Sequence, residues 1–137
     1  MIQTRLGHIQ FNIKPENRPF YQDLLPFLGY PVIDDSPEIL GVGPDIFHSF
    51  WFFTGANDAH NDYDGPGLNH IGLLAQHQAD VDTLVAYLRE RNISLLFDTP
   101  RHRPEFAYDA EHTYYQVMFE TPDRILIEVV YMGRLGQ

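Results

Sequence analysis

Cysteine is absent from the chain, which excludes disulfides, thiolate metal sites and a cysteine nucleophile together. Basic residues are scarce, 9 against 19 acidic ones, for a net charge of −10. That balance argues against a nucleic-acid or anionic-membrane surface and suits a metal cation. No apolar run approaches the roughly 18 residues of a membrane-spanning helix. The opening MIQTRLGHIQ lacks the basic-then-apolar build of a signal peptide. The expected setting is cytoplasmic, with neither nucleic acid nor membrane as partner. What is present is 137 residues, 44% apolar and 14% aromatic, enough for a real hydrophobic core. Seven histidines is a high count for this length, so position must decide which of them matter.

An internal repeat supplies position. Leu6-Gly7-His8-Ile9 opens one half and Leu68-Asn69-His70-Ile71 the other. Each opener runs into an alternating strand pattern, Ile9, Phe11 and Ile13 in one, Ile71, Leu73 and Ala75 in the other. A helix-length segment follows each. In the first, Pro19 suits an early helical position and Phe20, Leu24, Phe27 and Leu28 recur at helical spacing. Pro26 should kink or shorten this helix, and Gly29 reads as its stop. In the second, Val81, Leu84, Val85 and Leu88 form a cleaner amphipathic stripe. Strand-like pieces come next, roughly 30–34, 38–43 and 46–54, then 93–98, 113–120 and 124–132. The prediction is an α+β protein of two tandem βαβββ modules with curved mixed sheets. The first module covers 1–55, a turn-rich linker 56–67, and the second module 68–137.

Alternation along the strands assigns faces. Ile9, Phe11 and Ile13 should pack on the first helix, leaving His8, Gln10 and Asn12 opposite. Ile71, Leu73 and Ala75 take the helix side of the fifth strand, leaving His70, Gly72 and Leu74 opposite. In the last strand Ile125, Ile127, Val129 and Tyr131 face the helix, while Leu126, Glu128 and Val130 face away. A glutamate amid Ile-Leu-Ile-Glu-Val-Val-Tyr is conspicuous, because its charge is costly to bury without a partner. His8, His70 and Glu128 thus fall on the non-helix faces of three separate strands. Two imidazoles and one carboxylate form a facial metal triad with open positions for water or substrate. The ion is divalent, and Fe, Mn, Zn, Ni and Co all suit this donor set. On the same faces Gln10 and Asn12 could orient a polar substrate, and Phe50, Phe52, Leu126, Val130 and Met132 could form an apolar wall. The charged, proline-bracketed 98–108 segment reads either as a solvated loop or as a flap whose Arg101, His102 and Arg103 attract an anion. Tyr114, Tyr115 and Gln116 open the next strand, and either tyrosine could reach the cavity.

His8, Asn69-His70-Ile71 and the stretch Phe119-Glu120-Thr121-Pro122-Asp123-Arg124-Ile125-Leu126-Ile127-Glu128 resemble the vicinal-oxygen-chelate superfamily, which contains glyoxalases, bleomycin resistance proteins and extradiol dioxygenases. The resemblance covers essentially the whole chain. It implies two βαβββ modules around a metal cavity, a homodimer, and a metal held by His8, His70 and Glu128, with Glu128 also the catalytic carboxylate. Thr121 replaces the usual first aspartate of the C-terminal motif, and Arg124 replaces its usual glycine. Glyoxalase I enzymes draw a fourth ligand from the last strand of the first module. Here that strand, Phe47-His48-Ser49-Phe50-Trp51-Phe52-Phe53, has no carboxylate, and His48 is the available substitute. Two classes of function follow. One is a metal-dependent enzyme (lyase, isomerase, dioxygenase or transferase) that chelates a small oxygenated substrate. The other is a metal-independent drug-binding protein of the bleomycin-resistance type.

Overall fold

The computed structural model describes residues 1–137. The chain divides into two units, Met1–His60 and Asn61–Gln137. The first contains β1 (His8–Asn12), α1 (Arg18–Phe27), β2 (Val32–Asp35), β3 (Ile39–Asp45) and β4 (His48–Phe53). The second contains β5 (Ile71–Ala75), α2 (Gln78–Glu90), β6 (Arg101–His102), β7 (His112–Glu120) and β8 (Leu126–Arg134). Each unit holds one four-stranded sheet, in the orders β1-β4-β3-β2 and β5-β8-β7-β6. In both sheets the first and last strands of the module pair parallel, and the remaining neighbours are antiparallel. This is the α+β fold of two tandem βαβββ modules. No helix is long and apolar enough to cross a membrane.

The alternation in β1 and β5 is seen directly in their burial. Ile9 and Phe11 are half-buried between exposed His8, Gln10 and Asn12, and Ile71, Leu73 and Ala75 alternate with exposed Gly72 and Leu74. Helix α2 buries Val81, Leu84, Val85 and Leu88 as its spacing requires, with Tyr87 beside them. At its start the His77 backbone N–H donates to the Asp80 carboxylate at 2.9 Å, satisfying a group the helix itself leaves unpaired. Helix α1 differs from expectation by a rotation of its buried stripe. The core side is Tyr21, Leu24 and Leu25, whereas Phe27 is 45% exposed. Tyr21, Leu24, Leu25 and Leu28 satisfy helical spacing as well as the series starting at Phe20 does. The larger gain comes from seating Tyr21 against Phe52, ring centroids 4.5 Å apart. Its end is as read. Gly29 takes φ +90, its N–H bonds the Pro26 carbonyl at 3.1 Å and that of Tyr30 bonds Leu25 at 2.9 Å, the paired bonds that close a helix through a left-handed glycine.

One short strand lies further along the chain than its apolar pattern predicts. Residues 93–98 were expected to be extended and paired, but the short partner of β7 is Arg101–His102. Phe97 and Asp98 both adopt left-handed φ values, 56 and 57, which no strand tolerates. The apolar letters of Ile93, Leu95 and Leu96 instead serve irregular backbone, anchored where the Leu96 N–H donates to the Met118 carbonyl at 2.8 Å.

The turn between β7 and β8 is held by Thr121, which is 2% exposed. Its Oγ1 accepts from the Ile125 N–H at 3.1 Å and from the Asp123 N–H at 3.3 Å. Arg124 stands in the left-handed region at φ 58, which costs a non-glycine residue about 1 kcal/mol. Its guanidinium lies over the Tyr63 ring at 5.2 Å and 3.7 Å from Glu120, contacts a glycine would lack. Thr121→Val removes the acceptor of two amide donors in a buried turn. It is expected to lower stability by about 2 kcal/mol, read as a shift of the urea midpoint, with Thr121→Ser losing clearly less.

Candidate functional site

In the second unit the sheet face away from α2 is built around Glu128. Burial of Ile127 and Val129 against α2 turns the intervening Glu128 to the other face, where it is only 6% exposed. Directly across on β5 stands Gly72, the register partner of Glu128. A Cβ at Gly72 would meet Glu128 Oε1 at 3.7 Å, so the glycine leaves open the space beside that oxygen. Across on β7, Tyr114 donates its hydroxyl to Oε1 at 2.6 Å, and Gln116 donates Nε2–H to Oε2 at 3.0 Å. Gln116 is itself 2% exposed, and its Oε1 accepts from Arg103 at 3.2 Å. Both donors to Glu128 are therefore neutral, and the buried carboxylate has no cationic side chain bonded to it. A charge in that condition calls for a cation from outside the chain.

His70 immediately precedes β5 and is exposed. Its Nδ1 lies 2.7 Å from Asn69 Oδ1, and Asn69 Nδ2 donates to the Tyr63 carbonyl at 2.9 Å. A carbonyl only accepts, so the amide nitrogen must face Tyr63 and the amide oxygen must face His70. The imidazole then donates through Nδ1–H, and in its neutral form keeps the Nε2 lone pair free. This is the arrangement that outer partners impose on metal-binding histidines.

In the first unit His8 heads β1 opposite Ser49, and Gln10 and Asn12 follow on the same exposed face. The expected wall of Phe50 and Phe52 is not on that face. Phe50 pairs with Ile9 and Phe52 with Phe11, which puts both rings on the α1 side. There Phe52 stacks on Phe11 at 5.2 Å and Phe50 meets Tyr30 at 5.1 Å. The residues that do share the face of His8 are Ser49, Trp51 and Phe53. Trp51 lies over Gly41, whose Cβ would strike the indole at 2.5 Å, and its Nε1–H donates to Ser49 at 2.8 Å. His48, the candidate for a fourth ligand, is exposed with Nδ1 3.0 Å from Asp45. Alternation puts it with Phe50 and Phe52, away from His8. The two modules match in register: Gln10 opposite Trp51 stands where Gly72 stands opposite Glu128. The carboxylate position of the second module is thus a tryptophan in the first. Within neither unit do three histidine or carboxylate side chains gather closely enough to hold an ion by themselves.

Met132 is 56% exposed and opposite Tyr114 in the ladder, on the face of Glu128. Of the two tyrosines, Tyr114 reaches that face, while Tyr115 turns to α2 and donates to Asp82 at 2.6 Å. Burial, then the bond to Glu128, pushes the Tyr114 phenol up to about 12, and burial and the bond to Asp82 push Tyr115 equally to about 12. Raised phenols favour the protonated fold, so their contribution is complete below about pH 10 and is lost as pH rises towards 12. Phenolate absorbance is expected to show two of the eight tyrosines titrating near pH 12, one of them missing in Tyr114→Phe. Ionisation of both near pH 10 would refute the burial of the two phenols together with their bonds.

The chain matches no family model and no curated protein. Solved structures do share its fold. A protein described as a glyoxalase from Bacillus halodurans superposes with TM-score 0.76 at 26% identity, covering 94% of this chain and 96% of that one. Lactoylglutathione lyase from Agrobacterium tumefaciens gives TM-score 0.65 at 14% identity, covering 95% of each chain. A fosfomycin resistance protein from Listeria monocytogenes, solved with Mn(II) and a dihydroxypropylphosphonic acid, gives 0.66 at 16%, covering 98% and 95%. These structural neighbours are vicinal-oxygen-chelate proteins, and the chain has their fold, as the residues around His8, His70 and Glu128 led one to expect.

Proposed function

We propose that this chain is a metal-dependent enzyme in which His8, His70 and Glu128 hold a divalent ion that chelates a small oxygenated substrate, and that it works as a homodimer. The observation that carries the reading is Glu128, a buried carboxylate facing a glycine and held at both oxygens by neutral donors. The donor set of two imidazoles and one carboxylate fits Fe, Mn, Zn, Ni or Co, all of which accept open coordination positions. Such an ion, when bound, supplies Lewis-acid polarisation of a substrate oxygen. The chain's own residues do the rest. Asn69 presents His70 with Nε2 free, Tyr114 and Gln116 fix the Glu128 carboxylate, and the high pKa of Tyr114 keeps its hydroxyl proton in place. Gln10 and Asn12 supply polar groups for a substrate and Met132 an apolar one. Support comes also from the Mn(II) held by the fosfomycin resistance protein of the same fold.

A second reading is favoured by Trp51, an indole spread over Gly41 on the face of His8. In an acidic chain such a platform suits an aromatic cationic drug, bound without metal as in proteins of the bleomycin-resistance type.

Metal analysis by mass spectrometry on protein purified without a chelating tag separates the two. Near-stoichiometric metal in the native chain, lost in His8→Ala, His70→Ala and Glu128→Ala, is the expected result. A native chain that takes up none of the five ions would sink the enzymatic reading and leave the binding protein.

A further inference from the structure

We infer that the Glu128 face carries an oxyanion subsite centred on Arg101, so that the ligand bears a carboxylate or phosphate group besides the oxygens a metal would take. The inference deepens the proposed function and rests on that face being a ligand site.

Arg101 and Gln116 are register partners in the β6–β7 ladder, and directly opposed residues of an antiparallel pair share a face. Gln116 turns its amide to Glu128 at 3.0 Å, so Arg101 stands on the same face. His102, the next residue, points the other way, its ring 4.5 Å from that of Tyr115 and its Nδ1 2.5 Å from the Thr113 hydroxyl. The three basic residues of this segment therefore divide. Arg103 is spent: it bonds Gln116 at 3.2 Å and Glu105 at 2.5 Å, and lies over the Phe106 ring at 4.7 Å. Arg101 is not. Its Nε is the one buried side-chain nitrogen or oxygen in the chain without a hydrogen-bond partner. The carboxylate near it, Glu105, is held low chiefly by its bond to Arg103, with Arg101 the smallest of the attractions acting on it.

A buried guanidinium N–H with no acceptor is rare in folded proteins and calls for a cause. Here an acceptor from outside the chain provides one. Guanidinium nitrogens present a planar fork that matches carboxylate and phosphate oxygens. The β6 and β8 strands are separated by β7 alone, and the register leads from Arg101 through Gln116 to Val130, two residues from Glu128, so Arg101 and Glu128 lie about 12 Å apart across the sheet. A ligand of only a few carbon atoms spans what remains between their side chains.

The test uses metal-free protein, so that it stands apart from the metal analysis. Inorganic phosphate and acetate are titrated at constant ionic strength while the arginine Nε–H signals are followed by nitrogen–proton NMR. The expected result is a saturable shift of the Arg101 signal with at least one of the two anions, the stronger one identifying the group. Affinity for that anion should fall at least tenfold in Arg101→Gln, with Arg101→Lys between. Metal uptake by Arg101→Gln should equal that of the native chain. No shift with either anion overturns the subsite, as does equal affinity in Arg101→Gln. A native chain that binds phosphate or acetate through Arg101 yet takes no metal keeps the subsite and removes the metal reading instead.

Discussion

Glu128→Gln is expected to weaken divalent-metal binding more than a hundredfold while raising the thermal midpoint of the metal-free protein by a few degrees. The two effects have one cause. In the native chain a carboxylate that is 6% exposed is hydrogen-bonded by Tyr114 and Gln116 without a compensating charge. Breaking or lacking the partner of a buried ion leaves a penalty of several kcal/mol. A neutral amide of the same shape removes the charge and still accepts the Tyr114 hydrogen bond, while its NH2 now meets the Gln116 NH2 and offsets part of that gain. A gain of about 1 kcal/mol is the conservative expectation, and at this chain length that corresponds to roughly 4 °C. Loss of a direct ligand should exceed the ~10–100-fold that removal of an outer-shell partner typically causes. Calorimetry with and without added metal reads both effects on one sample. A variant that melts lower than the native chain when both are metal-free would show that the carboxylate is a structural acceptor rather than a residue retained at the expense of stability.

Gln116→Leu should act in the opposite sense on the fold, and through Glu128 on the metal. Gln116 is fully enclosed, donates to Glu128 Oε2 and accepts from Arg103. Leucine fits the volume but offers neither group, leaving one carboxylate oxygen and one guanidinium N–H unmatched. The expected loss is about 2–3 kcal/mol, the range for orphaned buried partners of charged groups. Metal affinity should fall about tenfold, because the carboxylate keeps only the Tyr114 bond to orient it. Urea unfolding of the metal-free chain, together with a competitive metal titration, checks the two parts. If stability falls and metal affinity does not move, Gln116 is a core residue without a part in presenting Glu128.

Much of this was legible in the amino-acid sequence, and the failures have physical reasons. Helix α2 was read residue by residue because its stripe at Val81, Leu84, Val85 and Leu88 had no competing series. In α1 two series fit equally, and the packing of Tyr21 on Phe52, a contact from another element, chose between them. The alternation of β1 and β8 is legible in the sequence and separates His8 and Glu128 from the apolar residues on either side of them, since each strand has one apolar and one interrupted face. In β4 that cue fails: Phe50, Trp51, Phe52 and Phe53 are aromatic on both sides. Only the pairing of Phe52 with Phe11 shows which side meets the helix. A large aromatic opposite a strand glycine, Trp51 across from Gly41, was the available hint. The 93–98 segment misled because apolar composition cannot reveal a left-handed turn at Phe97 and Asp98. The hydrogen bonds of Tyr114 and Gln116 to Glu128 depend on the β7–β8 register, which no local pattern encodes.

The shortness of β6 has a consequence for the chain's behaviour at high concentration. Sheets present unpaired amides at their margins, and long flat margins recruit strands from other molecules. At one margin of the second sheet β6 offers only Arg101 and His102, set between Pro100 and Pro104. The corresponding margin of the first sheet, β2, is interrupted by a register shift between Val32 and Asp34 and ends in two aspartates. Both are poor templates for runaway β-aggregation. The regular five-residue margins are β1 and β5, each beside the histidine that opens its module, so within each sheet the edge with the most even strand is also the one that carries a candidate ligand.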